Sequence, residues 1–209
     1  MSHVVLLGDS IFDNAAYVPG GPPVVEQVRG RLPAGWRATL AAVDGHTVAD
    51  VEAQLARVPA DATHLVLSIG GNDALMAAGL LREPAATVGD ALAILAGALA
   101  EFRDGYASML AKVLATGRPT CVCTIYDAIP NLGPAERAAL AGFNDVITRA
   151  AATAGIPLID LRVICNDADD YSPLSPIEPS VAGGAKIAGS ICRMLAVHDF
   201  AARRCGLII

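Results

Sequence analysis

VLLGDSIFDN, residues 5–14, decides how the rest of the chain is read. The run from His3 to Gly8 is apolar and partly β-branched, and it stops at a glycine followed at once by an acid and a hydroxyl, Asp9 and Ser10. Such a run reads as a strand buried on both faces, and the residues just past it as a turn. Residues 36–44, 63–70, 119–126 and 156–162 have the same character, and longer amphipathic segments alternate with them. This alternation predicts a five-stranded parallel sheet with right-handed crossovers and helices on both faces, a three-layer α/β/α sandwich. No linker, repeat or low-complexity segment interrupts it, so residues 1–209 are read as a single domain.

Helix signals fit between the strands. Thr47 with Asp50 three residues later is a capping pair, followed by apolar residues at helical spacing. Residues 88–117 read as one long helix or two abutting ones, weakened at Gly105, and residues 136–155 as a helix ending at Gly155. A last helix is expected from Pro179, a residue suited to the first helical position. ALAILAGALA, residues 91–100, is bounded by Asp90 and Glu101 and falls well short of the roughly 20 residues that a bilayer requires. It is read as a core helix.

Composition narrows the function. Of 209 residues, 54% are hydrophobic, and 15 basic residues against 21 acidic ones give a net charge of -6. No basic run offers the footprint that nucleic-acid phosphates or anionic lipid demand. The five cysteines match no zinc or thioredoxin-like spacing, and Cys121 and Cys123 fall on one face of a strand as buried thiols. With no basic and apolar leader before the first strand, the expectation is a mature chain that starts here and resides in the cytoplasm.

In an open parallel sheet ligands bind outside the carboxyl ends of the strands. That sorts the polar residues by edge. Ser10, Gly45, His46, Asn72, Asp73 and Asp127 follow strands and face the expected site, whereas His3, His64 and His198 belong to the far edge. Ser10 is a candidate nucleophile. Gly45 precedes a helix start, so its N–H can meet an oxyanion, and Asn72 follows two glycines with a side-chain amide suited to the same charge. Each of these is also an ordinary turn residue; what points to chemistry is three such turns at the ends of successive strands.

LLGDSI, VDGHT and GGND resemble the first three sequence blocks of the SGNH hydrolases, the GDSL-type esterases and lipases, in the same order. The resemblance extends to the last helix and implies a flavodoxin-like fold and hydrolysis of an ester or related acyl bond. It implies that Ser10 is the nucleophile and that Ser10 N–H, Gly45 N–H and the Asn72 amide form the oxyanion hole. It implies no cofactor or metal, and a small-molecule acyl ester as the partner.

The family's fourth block, Asp-x-x-His, is absent. Ser175 stands at the aspartate position and Glu178 at the histidine position, ahead of a matching Pro179, Ser180 and Gly183. A carboxylate that takes the serine proton becomes neutral, whereas imidazole becomes a cation that helps the nearby oxyanion. Burial can raise a glutamate's pKa and restore basicity. The candidates are therefore Glu178 as base, with Asp169 or Asp170 as assisting acids; His46, at a helix N-terminus, as an alternative base; and a non-catalytic acyl- or carbohydrate-binding protein on the same scaffold. Asp167, Asp169 and Asp170 as a metal site are set against a solvated acidic turn, and the absence of G-x-G-x-x-G argues against a dinucleotide site. Asp9 and Asp73 are read as turn-shaping residues, Asn144 and Asp160 as structural, and specificity is assigned to residues 11–35, 74–88 and 127–134.

Overall fold

The computed structural model describes residues 2–209. In chain order the elements are β1 (His3–Gly8), α1 (Val24–Arg31), β2 (Arg37–Leu40), α2 (Val51–Leu55), β3 (His64–Ser68), α3 (Gly71–Ala77), α4 (Val88–Ala115), β4 (Thr120–Cys123), α5 (Pro134–Ala154), β5 (Leu158–Ile159), α6 (Leu161–Ile164), α7 (Val181–Val197) and β6 (Leu207–Ile208). The strands form one parallel sheet in the order β2-β1-β3-β4-β5-β6. The expected sheet had five strands. The sixth comes from the tail, where two residues pair with β5 and Leu158 and Asp160 donate to the carbonyls of Gly206 and Ile208. Two paired residues carry no periodicity from which a strand can be read.

Strand alternation divides the core in two. Val4 and Leu6 face the cluster shared with α1 and α7, while Val5 and Leu7 face the one shared with α2, α4 and α5. The sheet is thus buried on both faces, as a parallel sheet requires. Cys121 and Cys123 share the first cluster, and all five cysteines are free thiols. His3 bonds Asp61 and Thr39, His64 stacks on Trp36, and His198 packs on Phe200, so all three are structural. Asn144 pins both backbone groups of Ile125, and Asp160 bonds Thr124 and pairs with Arg162.

The helix starts refine the sequence reading. The Thr47–Asp50 capping pair is present, but it opens a 3-10 turn, Val48–Asp50, that leads into α2. Gly105 does not divide α4, which opens on a second capping pair, Thr87 and Asp90. Pro179 does not start α7. Ser180 caps that helix, its Oγ accepting from the N–H groups of Ala182 and Gly183, and Pro179 instead makes a β-bridge with Tyr171. No helix among the described residues is long and apolar enough to cross a membrane.

Strand order reverses at β1, whose chain leaves toward β2 on one side while β3 to β6 build out on the other. The crevice outside β1 and β3 is therefore the topological switch point, where parallel sheets bind ligands. Ser10 and Asn72 follow these two strands.

Candidate active site

The turn that carries Ser10 is set by its neighbours. Gly8 has φ +128°, and a side chain there would run into the Ser68 carbonyl of β3. Gln54 holds both backbone groups of Gly8, accepting from its N–H at 2.8 Å and donating to its carbonyl at 2.7 Å. Asp9 then opens a helical turn: its carbonyl accepts from Phe12 and Asp13, and its carboxylate accepts from Ile11 N–H at 3.1 Å. Ser10 is left 6% exposed, and its N–H donates to no acceptor among the described residues. An unpaired backbone donor beside a buried hydroxyl is what an oxyanion hole needs.

Asn72 arrives from the other side. Gly70 adopts φ +117°, a left-handed conformation that lets the chain turn from β3 into α3. Asn72 Nδ2 donates to the His46 carbonyl at 2.8 Å, and Asp73 accepts from Val48 N–H at 3.2 Å, so the turn after β2 is tied to the start of α3. Gly45 lies in that turn with φ +80°. It is exposed, stands outside the cavity walls, and its N–H also has no protein acceptor among the described residues.

Glu178 meets Ser10 from the loop before α7. Ser172 N–H donates to the Glu178 carbonyl at 2.8 Å, Tyr126 Oη donates to the Ile177 carbonyl at 2.6 Å, and Asn14 Nδ2 donates to the Pro179 carbonyl at 3.1 Å. Glu178 N–H donates to the Ser175 carbonyl, closing a turn; this backbone bond is the link between the two residues at the positions of the missing block. Glu178 is 4% exposed, and its Oε2 has no hydrogen-bond partner among the described residues. Burial pushes its pKa up to about 7, opposed by the Ser10 hydroxyl and reinforced by the charge of Asp44. The Ser10 hydroxyl is thus the carboxyl's polar neighbour, although the contact falls short of a well-formed hydrogen bond.

A second carboxyl adjoins the first. Asp9 is buried, pairs with no cation, and has its pKa pushed up to about 8, chiefly by burial and in part by the charge of Glu178. Read from the sequence, Asp9 is a turn residue. It does bond the turn, but it also lines the cavity next to Ser10.

Other candidates are placed elsewhere. His46 Nδ1 lies 2.9 Å from Gln54 Nε2, an amide donor, and His46 is not part of the cavity wall. Asp170 is buried against Lys186, which also pairs with the exposed Asp167, and Asp169 is exposed with its carbonyl held by Ser180. These acids therefore serve the α7 cap and do not touch Glu178. No cluster of potential metal ligands occurs among the described residues.

Ser10, Asn72, Asp9 and Glu178 share the wall of a cavity of about 390 Å³ whose remaining lining is largely leucine, isoleucine, alanine and phenylalanine. Segments 74–88 and 127–134 contribute to it as expected, whereas 11–35 contributes only Ile11. The sequence reading missed the part played by α4 and α5, through residues such as Leu95 and Phe143. ALAILAGALA is not a core helix: none of its residues is buried, and Ala91, Ile94 and Leu95 face the cavity.

A serine-bearing turn, an unpaired backbone N–H and a buried carboxyl beside a cavity at the switch point of a parallel sheet are the arrangement an esterase-type hydrolase scaffold requires. The model of the GDSL-like Lipase/Acylhydrolase family matches residues 6–186, and the chain belongs to that family of esterase-type hydrolases. Solved structures share its fold over nearly the whole length. A lipase from a goat rumen metagenome matches at TM-score 0.75 and 16% identity, covering 96% of this chain and 100% of its own. A variant of an acetyl xylan esterase from Geobacillus stearothermophilus matches at 0.68 and 18%, covering 95% and 96%. An extracellular lipase from Streptomyces rimosus matches at 0.61 and 22%, covering 94% and 99%. No curated protein matches the chain significantly.

Proposed function

We propose that the chain hydrolyses a small-molecule acyl ester with Ser10 as nucleophile and Glu178 as general base. The observation that carries this reading is the placement of Glu178: buried, held by its loop, unpartnered at Oε2, next to Ser10, with a pKa near 7. A base is most useful when its pKa lies near the working pH. In the proposed cycle Ser10 Oγ bonds to the acyl carbon as its proton passes to Glu178. The tetrahedral oxyanion is met by Ser10 N–H and the Asn72 amide, with Gly45 N–H as a third donor. The alcohol leaves with the proton returned by Glu178. Water then gives its proton to Glu178 as it attacks the acyl-serine, and the carboxylic acid departs as Ser10 regains its hydrogen. Asp9, protonated at neutral pH, keeps a second negative charge from opposing the oxyanion.

His46 is the weaker candidate for base because Gln54 engages its Nδ1 and the cavity lies elsewhere. Binding without turnover draws on the missing Asp-x-x-His block. Hydrolysis of p-nitrophenyl esters by the parent chain and by Ser10→Ala, Glu178→Gln and His46→Ala separates the readings. The proposal expects the first two substitutions to remove activity and the third to leave most of it. Loss of activity in His46→Ala with retention in Glu178→Gln transfers the role to the histidine, and inactivity of the parent chain on every ester favours the binder.

A further inference from the structure

Residues 71–101 include no buried residue, a run of 31 positions in a chain whose sheet strands are mostly sealed. The run is nonetheless apolar. Between Ala74 and Ala100 the charged residues are Arg82, Glu83 and Asp90. Met76 and Val88 are 77% and 78% exposed, and Leu75 and Leu92 are more than half exposed. A helix apolar on all sides is ordinarily enclosed by a core. Here the inner side of the run, through Leu80, Leu81, Ala91, Ile94 and Leu95, walls the cavity, and Ile69, Ile125, Leu140 and Phe143 line it from the body of the domain. The cap is therefore a half-core facing a space of about 390 Å³.

The chemistry fixes what enters that space. Apart from the reacting groups the wall is apolar except at Ser68, Glu83, Tyr126 and Glu136; such a lining offers little to a sugar hydroxyl, whose unmatched burial costs energy, but gains with every methylene removed from water. In a two-step acyl transfer the alcohol must leave and water must enter before the second step, while the acyl group stays attached throughout. The apolar wall formed by Leu80, Leu81, Ile94, Leu95, Leu140 and Phe143 thus suits the acyl group, which stays, better than the alcohol, which must leave. A cavity of roughly 150 Å³ takes up benzene, so a space some two and a half times larger admits on the order of ten to fifteen heavy atoms at comparable packing, of which the ester group takes a share and leaves roughly six to ten for a chain.

We propose that the cavity binds the acyl part of the ester as a medium-length hydrocarbon chain of roughly six to ten carbons, and that the inner face of segment 71–100, through Leu80, Leu81, Ile94 and Leu95, packs on that chain. The assignment of acyl and alcohol sides rests on the reading of Ser10 as nucleophile; the apolar occupant rests on the cavity alone.

The test uses two ester series and one binding arm. For p-nitrophenyl esters from acetate to dodecanoate, kcat/KM is expected to rise by about threefold per methylene up to octanoate or decanoate and then fall. For acetates of alcohols from ethanol to octanol it is expected to stay within about threefold. Ala91→Phe on α4 and Ala139→Phe on α5, both in the cavity wall, should each lower the octanoate-to-acetate ratio of kcat/KM at least tenfold. Two positions, one exposed and one buried, guard against a variant that fails to fold. In Ser10→Ala, decanoate should slow hydrogen exchange within 71–100 and raise Tm, and acetate should do neither. An acyl series that is flat or falls from acetate, or a rise confined to the alcohol series, overturns the assignment. Absence of decanoate protection in the cap overturns the occupant. If no ester turns over but decanoate still protects the cap, the nucleophile reading fails and the hydrocarbon site stands.

Discussion

The loop that presents Glu178 and the cap over residues 71–100 line the same cavity and are built in opposite ways. The loop is tied at Ser172, Ile177 and Pro179 to the segment 14–17 and to Tyr126, closes on itself between Ser172 and Glu178, and buries Tyr171 edge-on against Tyr126 at a centroid distance of 4.9 Å. The cap, made of α3, a 3-10 turn and the first part of α4, has no buried residue. Reacting groups gain from being held before substrate arrives, because reorganisation at the moment of reaction costs rate. A wall that recognises a chain gains from completing its packing only when the chain is present. On the proposed reading, catalysis falls to the hydrogen-bonded loop and recognition to the cap that buries no residue.

Several substitutions would break or sharpen that contrast. The largest expected effect is on chemistry: Glu178→Gln should lower kcat by about 10² to 10⁴ with KM within a few-fold, the range typical of general-base removal. Steady-state kinetics on one ester would check it, and a loss appearing mainly in KM would move Glu178 to the recognition side. Next comes packing. Phe143→Ala, on the buried core side of the cavity wall, should cost about 3 to 5 kcal/mol in denaturant unfolding. Leu95→Ala, on the cap, should cost under about 1 kcal/mol, as substitutions outside the core do. Equal costs would mean that the cap is integrated with the core.

Asn14 joins the Glu178 loop to the start of α1, accepting from Val24 N–H at 2.9 Å while donating to the Pro179 carbonyl. Asn14→Ala leaves buried backbone groups unpaired and should cost about 1 to 3 kcal/mol, with a kcat loss in the folded variant that exceeds any change in KM.

A smaller effect follows from the two raised carboxyls. In the unfolded chain each ionises near pH 4, whereas in the fold Glu178 holds its proton to about 7 and Asp9 to about 8. Between about pH 4 and pH 8 the unfolded state therefore binds fewer protons, and stability falls as pH rises. Glu178→Gln and Asp9→Asn should each melt a few degrees above the parent at pH 8 and level with it near pH 4. Thermal melts at the two pH values would show it, and lower Tm at pH 8 would mean that the charges are compensated. The smallest effect is expected at His46→Ala, within about threefold in kcat/KM on the p-nitrophenyl ester series.

What the sequence disclosed was what local chemistry determines. Glycine at a strand end, an acid, then a serine specify a turn at the carboxyl edge of β1. GGND does the same after β3, and Glu178 is a candidate because Pro179, Ser180 and Gly183 suggest the register of the fourth block. What it concealed depends on packing between distant segments. Periodicity cannot tell an apolar helix that fills a core from one that walls a cavity, and ALAILAGALA reads alike in either setting. Asp9 stands in plain view beside Ser10, yet its burial without a cation follows from the enclosing elements and not from its neighbours in sequence. β6 is two residues long, below any pattern.

The central claim is that Ser10 is a nucleophile activated by Glu178. An aryl alkylphosphonate labels a reactive serine irreversibly, and intact mass with peptide mapping locates the adduct. The account predicts a single adduct on Ser10, forming faster as pH rises through about 7, and slow labelling without that pH dependence in Glu178→Gln. Labelling of Ser10 at an unchanged rate in Glu178→Gln, or no adduct at Ser10 at any pH, would contradict it.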